Sequence, residues 1–143
     1  MLRNRGFTVI ELVVAMTIVC LLVAVAVVSF HDHMTRKARS EARKALLENA
    51  EWLKLQHAKS GTYLVKLPIT QTPSEGDADY RIGLAATQLQ AAEPKAAFPA
   101  TSKQSYTLQA VPMGEDACGA LLLDSAGRKG VAGANARIAD CWR

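Results

Sequence analysis

The first 60 residues of this sequence have few of the residues that break helices. Glycine is absent between Gly6 and Gly61, and the first proline is Pro68. Charge is also scarce in one stretch, because the only charged residue between positions 7 and 30 is Glu11. Since neither a helix breaker nor a run of charges interrupts this region, the sequence predicts one long helix whose first part is almost wholly apolar.

Motifs that carry catalysis are also missing. The sequence has no glycine-rich phosphate loop, no nucleophile elbow and no Cys/His spacing suited to zinc. His31 and His33 flank Asp32, but residues two apart on a helix point away from each other and do not chelate one ion. Asp77 and Asp79 lack the further ligands of a calcium loop. We therefore expect neither an enzyme nor a bound metal or cofactor.

The net charge of +4 is not spread evenly along the chain. Residues 31–59 carry seven basic and four acidic side chains, whereas residues 60–143 carry eight of each. The C-terminal part is therefore neutral as a whole, and any basic partner surface in it must be local.

Three cysteines are present. Cys20 lies in the apolar run, where a thiol behaves as a small hydrophobe. Cys118 and Cys141 are the candidate disulfide, with two unrelated buried thiols as the alternative. Such a bond would close a loop of about 24 residues and stabilise the fold by roughly 3 kcal/mol. It would also indicate that this part of the chain matures in an oxidising compartment.

The apolar run over residues 7–30 is long enough to cross a membrane. About 24 residues at ~1.5 Å rise span roughly 36 Å, more than the hydrocarbon core of a bilayer. A secretory signal peptide fits poorly, because its apolar core is shorter and ends at a small-residue cleavage site. Basic residues after the run outnumber Arg3 and Arg5 before it, which by the positive-inside rule would place the C-terminal side in the cytoplasm. The candidate disulfide indicates the opposite orientation, and we give it more weight.

The stretch "RGFTVIEL" resembles the prepilin signature of type IV pilins and related pseudopilins: a short basic leader, a glycine, an aromatic residue, and a glutamate four residues later. The resemblance implies that a membrane-embedded prepilin peptidase cuts after Gly6 and methylates the new N-terminus at Phe7. It also implies that Glu11 neutralises the N-terminal amine of a neighbouring subunit in the packed helical core of a pilus. A carboxylate in a membrane span signals function by default. Snorkelling of Glu11 to the headgroups is the alternative.

The resemblance divides the chain into a cleaved leader (1–6), a transmembrane and assembly helix (7–30), and a periplasmic head (31–143) that includes the second half of the helix. In that second half, residues at spacings of three or four predict one face that packs on a sheet, while Arg36, Arg39 and Arg43 largely occupy the other sides. The predicted face consists of Met34, Ala38, Ala42, Ala45, Asn49, Leu53 and Gln56, flanked by Leu46 and Trp52. Gly61 is the predicted C-cap.

In the head, apolar residues recur at every second position in several short segments, a pattern that predicts the strands of a small sheet. Short strands are predicted at Tyr80–Leu84, Tyr106–Ala110 and Gly119–Leu123, and a fourth near Val131 after the turn Asp124–Gly130. The expected fold is therefore α+β: a long N-terminal helix packed on a small antiparallel sheet, with a C-terminal disulfide loop.

The stretch "YTLQAVPMGEDACGALLLDSAGRKGVAG" and the near-terminal "CW" resemble a narrower group, the minor pilins that include the competence pilin that receives DNA. The first expectation is a structural subunit of a type IV pilus, of the minor kind. It would lie in the inner membrane before assembly and then in the pilus at the cell surface. Its partners would be other pilin subunits, through the helix core, and prepilin peptidase. A DNA-binding pilin and a pseudopilin of type II secretion are the alternatives.

The DNA-binding alternative has local support in the C-terminal loop, where basic side chains outnumber acidic ones by two. Ordinary solvated charges are the competing explanation. The candidate DNA-binding residues are Arg128, Lys129, Arg137 and, from an adjacent strand, Lys103.

Overall fold

The computed structural model describes residues 7–143, so the predicted leader and the cleavage site at Gly6 lie outside the described residues. Helix α1 spans Val9–Ser60 without interruption, which confirms the prediction of one long helix. Gly61 follows it at φ 70°, and its N–H donates to the carbonyl of His57 at 2.8 Å. This left-handed glycine is the predicted C-cap.

The first part of α1 belongs to an N-terminal unit that ends at Arg36. The helix contains a stretch long and apolar enough to cross a membrane. Large apolar side chains of this stretch are exposed on the single chain, as at Ile10, Leu21 and Phe30. Exposed apolar side chains of this kind are suited to lipid or to other apolar helices.

The second unit, Lys37–Arg143, contains two sheets and a short helix. The elements are β1 (Gln71–Thr72), β2 (Tyr80–Leu84), β3 (Leu89–Gln90), β4 (Ala97–Phe98), β5 (Thr107–Pro112), β6 (Leu121–Asp124), β7 (Lys129–Val131) and α2 (Ile138–Cys141). The large sheet is antiparallel in the order β1-β2-β5-β6-β7, and β3 pairs with β4 separately. The four predicted strands are present as β2, β5, β6 and β7. Strands β1, β3 and β4 are additions that the sequence did not predict, because two residues are too few for an alternation to be visible.

The core lies between the second half of α1 and one face of the large sheet. On the helix side, Leu46 and Leu53 are fully buried. They belong to one cluster with side chains from β5 and β6, among them Leu108 and Leu121. The predicted packing face is confirmed in this unit by the burial of Ala42, Ala45, Asn49 and Leu53. Leu46 belongs to the centre of that face and not to its flank.

One polar residue of the packing face secures the chain that follows the helix. Asn49 is fully buried, and its Nδ2 donates to the carbonyl of Ile69 at 2.8 Å. Its Oδ1 accepts the N–H of the same residue at 3.3 Å. The buried amide is thereby satisfied, and the connection from α1 to β1 is held against the helix.

Strand β6 is buried on both faces. Leu121 and Leu123 face the main core, whereas Leu122 packs with Ala91 and Phe98 in a second, smaller cluster. Since the small sheet covers this second face, every residue of β6 is buried.

Cys118 and Cys141 form a disulfide with their Cα atoms 5.9 Å apart, which confirms the predicted pair. Cys20 is free and exposed on the N-terminal unit. The bond joins the β5–β6 loop to α2, so β6, β7 and the turn between them lie inside one covalently closed loop.

Candidate functional site

The turn between β6 and β7 is built around the carboxylate of Asp124, whose side chain is 3% exposed. Its Oδ1 accepts the backbone N–H of Ala126 at 3.0 Å and that of Arg128 at 2.8 Å. Gly127 adopts φ 80°, a conformation that glycine takes without steric cost. An aspartate that bonds the backbone ahead of it is a common turn device. Here it places Arg128 directly beside Asp124.

The guanidinium of Arg128 is held on two sides. Its Nε donates to Oδ2 of Asp124 at 2.6 Å, and its Cζ lies 5.0 Å from the centroid of the Phe98 ring. The side chain is nevertheless 48% exposed. Within residues 7–143 its two terminal nitrogens make no hydrogen bond, so this edge of the group is available to a ligand.

The Phe98 ring reaches Arg128 because β7 has a glycine where the ring passes. A Cβ added at Gly130 would lie 2.7 Å from Cζ of Phe98 and 2.8 Å from its Cε2, closer than real contacts allow. Phe98 comes from β4, so the small sheet that the sequence did not predict positions this ring. No local sequence pattern signals the contact.

A second cation and ring lie on the opposite face of the β6–β7 hairpin, because Trp142 packs against the main core whereas Phe98 belongs to the second cluster. The Nζ of Lys129 lies 5.2 Å from the centroid of the Trp142 ring, and Trp142 Nε1 donates to the carbonyl of Gly130 at 3.2 Å. Trp142 directly follows Cys141, so the disulfide holds this part of the tail near β7. Two adjacent basic residues thus each lie over an aromatic ring.

Lys103 lies in an exposed loop before β5, and the prediction that it lies in a strand is wrong. The hydroxyl of Ser102 accepts the N–H groups of the second and third following residues at 3.2 and 3.1 Å, which folds the segment into a turn. The N–H of Ser125, in the β6–β7 turn, donates to the carbonyl of Tyr106 at 2.9 Å. The loop of Lys103 and the turn of Arg128 therefore lie at the same end of the large sheet.

Arg137 does not join the other candidate residues. It lies beyond the far end of β7 and pairs with Asp140 at 2.7 Å, with the two side chains 72% and 45% exposed. It also lines an open cavity beside the disulfide. Three of the four candidate DNA-binding residues thus lie at the same end of the large sheet, and we call this group the basic end: Lys103, Arg128 and Lys129.

At the end of the sheet opposite the basic end, an ion pair ties α1 to the β5–β6 loop. Arg39 donates from Nη2 to Oδ1 of Asp116 at 2.7 Å and from Nε to its Oδ2 at 3.3 Å. The side chains are 15% and 3% exposed. The hydroxyl of Tyr80 and the N–H of Cys118 also donate to Asp116. The prediction that Arg39 lies on a solvated side of the helix is therefore wrong, because a buried carboxylate 77 residues away is its partner.

The titration behaviour of this cluster follows from its contacts. Burial alone would raise the pKa of Asp116, but the hydrogen bonds from Arg39, Tyr80 and the Cys118 backbone outweigh burial and hold that pKa below its ordinary value. Burial, with the bond to Asp116, raises the pKa of the Tyr80 hydroxyl. The cluster is thus a charged structural clamp at neutral pH, with no group poised to exchange a proton.

No group of three or more His, Cys, Asp or Glu side chains in the part of the chain that the structure describes is arranged to hold a metal ion. His57, on α1, stacks on Tyr63 with ring centroids 4.2 Å apart. Tyr63 in turn meets Tyr106 edge to face at 4.9 Å. This histidine contributes to packing between α1 and the segment that follows it.

The predicted processing and assembly residues lie at the start of α1. Phe7 precedes the helix and is 73% exposed. Glu11 lies in the first turn, where the helix dipole favours a negative charge. Its backbone N–H donates to the hydroxyl oxygen of Thr8 at 3.3 Å. Its side chain is exposed on the single chain, among exposed apolar side chains.

Two family models match the sequence. The prokaryotic N-terminal methylation motif matches residues 1–27. The model described as type IV minor pilin ComP, DNA uptake sequence receptor, matches residues 28–122 and ends within β6. No curated protein matches the chain at a significant level. Because the second match covers more than half of the sequence, the chain belongs to the type IV minor pilin ComP family.

Proposed function

We propose that this pilus subunit is a receptor for duplex DNA, which it binds at the basic end of its head. The observation that carries the proposal is the pairing of Arg128 and Lys129 with aromatic rings at one end of the sheet, with Lys103 in the adjoining loop. Cations that are held in place and remain exposed are suited to phosphates and base edges. The family description, a DNA uptake sequence receptor, supports DNA as the ligand.

The basic end offers few charges, so its affinity should depend on salt only moderately. Two or three phosphate contacts at ~0.9 released ions each give a slope of about −2 to −3 in a plot of log affinity against log salt. Binding should then weaken roughly 10- to 40-fold between 50 and 200 mM salt. Binding strong enough to matter at physiological salt therefore requires contacts to base edges, which would make it dependent on sequence.

The full chain in detergent, titrated into fluorescently labelled duplexes at two salt concentrations, tests this proposal. Replacing both Arg128 and Lys129 by alanine should abolish most of the binding. The matched control replaces Lys54 and Lys59, two exposed lysines of α1, and removes the same charge. An equal loss in both double variants, or no binding by the wild type at low salt, would refute a DNA site at the basic end. The plain structural pilin would then remain.

The same chain is proposed to be anchored in the inner membrane, with its head in the periplasm, before it enters the pilus. The apolar part of α1 and the methylation-motif match support the anchor, and the disulfide supports an oxidising compartment for the head. In this proposal the leader is residues 1–6, the membrane and assembly helix is 7–30, and the head is 31–143. The family match favours the type IV pilus over type II secretion.

Processing and assembly follow from the first residues of the chain. Prepilin peptidase would cut after Gly6 and methylate the amine of Phe7. Glu11, one turn along the helix, would then neutralise the corresponding amine of a neighbouring pilin in the apolar core of the filament. A buried carboxylate is stabilised by a counter-charge, which gives each entering subunit a fixed position along its neighbour.

A further inference from the structure

We propose that Arg128 reads a guanine in the bound DNA and that the buried Asp124 is the positioning residue that holds Arg128 for this contact. The inference rests on the proposed function, because it names the base that the basic end recognises. It starts from the contrast between Arg128 and two other arginines of the head that form ion pairs.

Arg39 uses both Nε and Nη2 on its carboxylate and is 15% exposed, so its donors are consumed within the fold. Arg137 and its partner are both largely exposed, so their contact fixes no orientation. Arg128 differs from both, because its partner is 3% exposed and its own side chain is 48% exposed. A rigid internal carboxylate thus holds an arginine whose outer edge faces solvent.

The orientation of the Arg128 guanidinium is restricted from two directions. Asp124 binds Nε at 2.6 Å, and the Phe98 ring lies 5.0 Å below Cζ. The two terminal nitrogens then present a planar pair of N–H donors. Guanine presents O6 and N7 side by side in the major groove, and this is the pair of acceptors that such a fork matches. Only the turn at the tip of the β6–β7 hairpin is exposed to a groove, because every residue of β6 is buried within the sheet.

A phosphate contact is a weaker explanation of this geometry. Phosphate can also accept both N–H groups of an arginine fork, but its attraction to a protein comes mainly from net positive charge. Asp124 cancels the charge of Arg128, so the pair adds little to this sequence-independent attraction. Lys103 and Lys129 carry no such carboxylate partner among the residues that the structure describes and supply that attraction. Specificity and affinity are therefore divided between different residues of the basic end.

The test is a selection from a pool of random duplexes by the full chain in detergent, followed by sequencing of the bound DNA. The wild type should enrich a motif, and Arg128→Lys should lose enrichment of guanine at one position of it. Affinity for unselected duplexes should change less than about twofold, because lysine preserves the charge. Replacing that guanine by 7-deazaguanine, which lacks the N7 acceptor, should weaken the wild type about tenfold and leave Arg128→Lys unaffected.

Asp124→Asn separates positioning from folding. Asparagine keeps the acceptor for the backbone N–H groups of the turn but presents an NH2 group that cannot accept from Nε of Arg128. The guanine preference should fall, while binding to unselected DNA should rise and its salt slope should steepen by about one unit, because a positive charge is released. A merely structural role would weaken binding to every duplex. Lys129→Ala is the matched control and should lower affinity for all duplexes without changing the motif.

Each outcome decides between the proposals. No binding by the wild type overturns both this inference and the DNA receptor. A motif that is unchanged in Arg128→Lys overturns the guanine contact alone. A uniform loss of affinity in Arg128→Lys makes Arg128 a phosphate contact and also overturns it. Thermal unfolding of each variant, compared with the wild type, identifies any loss that is caused by misfolding.

Discussion

Replacing Asp116 by asparagine would leave the guanidinium of Arg39 inside the head without its counter-charge. The two side chains are 15% and 3% exposed, so water cannot solvate the remaining charge well. Removing one partner of a buried ion pair costs about 3–5 kcal/mol, and the partial exposure of Arg39 favours the lower end, about 3 kcal/mol. The hydrogen bond from Tyr80 is weakened as well, because its acceptor loses its charge.

The pH dependence gives the same prediction a second readout. The folded pKa of Asp116 lies below the ordinary value of about 4, so the carboxylate stabilises the fold above that value. This contribution is lost as the pH falls through the folded pKa. The difference in the free energy of unfolding between wild type and Asp116→Asn should therefore be largest near pH 7 and should shrink below about pH 4.

Urea titrations of the full chain in detergent, followed by near-ultraviolet circular dichroism, measure both effects. Asp140→Asn is the matched control, because it breaks an arginine pair of the same 2.7 Å length that is largely exposed. It should cost less than about 1 kcal/mol. A loss below 1 kcal/mol in Asp116→Asn, or a difference that does not change with pH, would refute the clamp.

Four further predictions follow from other parts of the chain. Gly6→Val should block cleavage and leave a precursor that is heavier by the six-residue leader in a mass spectrum; normal maturation would contradict the peptidase site. Glu11→Val should be inserted and cleaved but absent from purified pili, and normal incorporation would favour snorkelling. Gly130→Ala should push against the Phe98 ring and lower the free energy of unfolding by about 1–3 kcal/mol, so an unchanged melting curve would speak against this contact. Reducing the disulfide should lower that free energy by about 3 kcal/mol, and a non-reducing peptide map should show Cys20 alone as a free thiol.

The helix and the main strands could be predicted because their signals are local. The absence of glycine and proline before Gly61 predicts an unbroken helix, and alternation predicts strands such as Tyr80–Leu84. The disulfide could be predicted because two of the three cysteines lie outside the apolar run. These features require no knowledge of which distant residues meet.

The contacts that define the candidate site are mostly non-local, and the sequence carries little trace of them. Arg39 meets Asp116 across 77 residues, and Phe98 reaches Arg128 from a strand of only two residues. In the sequence, Asp124 only reduces the net positive charge of the C-terminal loop. In the structure it organises that loop, because burial and the turn direct its carboxylate at Arg128. Formal charge alone could not distinguish these two roles.

The disulfide also has a mechanical consequence. A pull on a ligand held at the β6–β7 turn acts inside the loop closed by Cys118 and Cys141. The tension reaches the rest of the head along two branches, directly through β6 and through β7 and the disulfide, so neither strand bears it alone. If the hairpin were stripped from the sheet, the turn could move from Cys118 only as far as the 8 residues to Ala126 allow, about 27 Å at ~3.4 Å per residue, while the disulfide kept β7 tied to the same point. A filament subunit that is loaded at this turn would lengthen little before its covalent chain took up the strain.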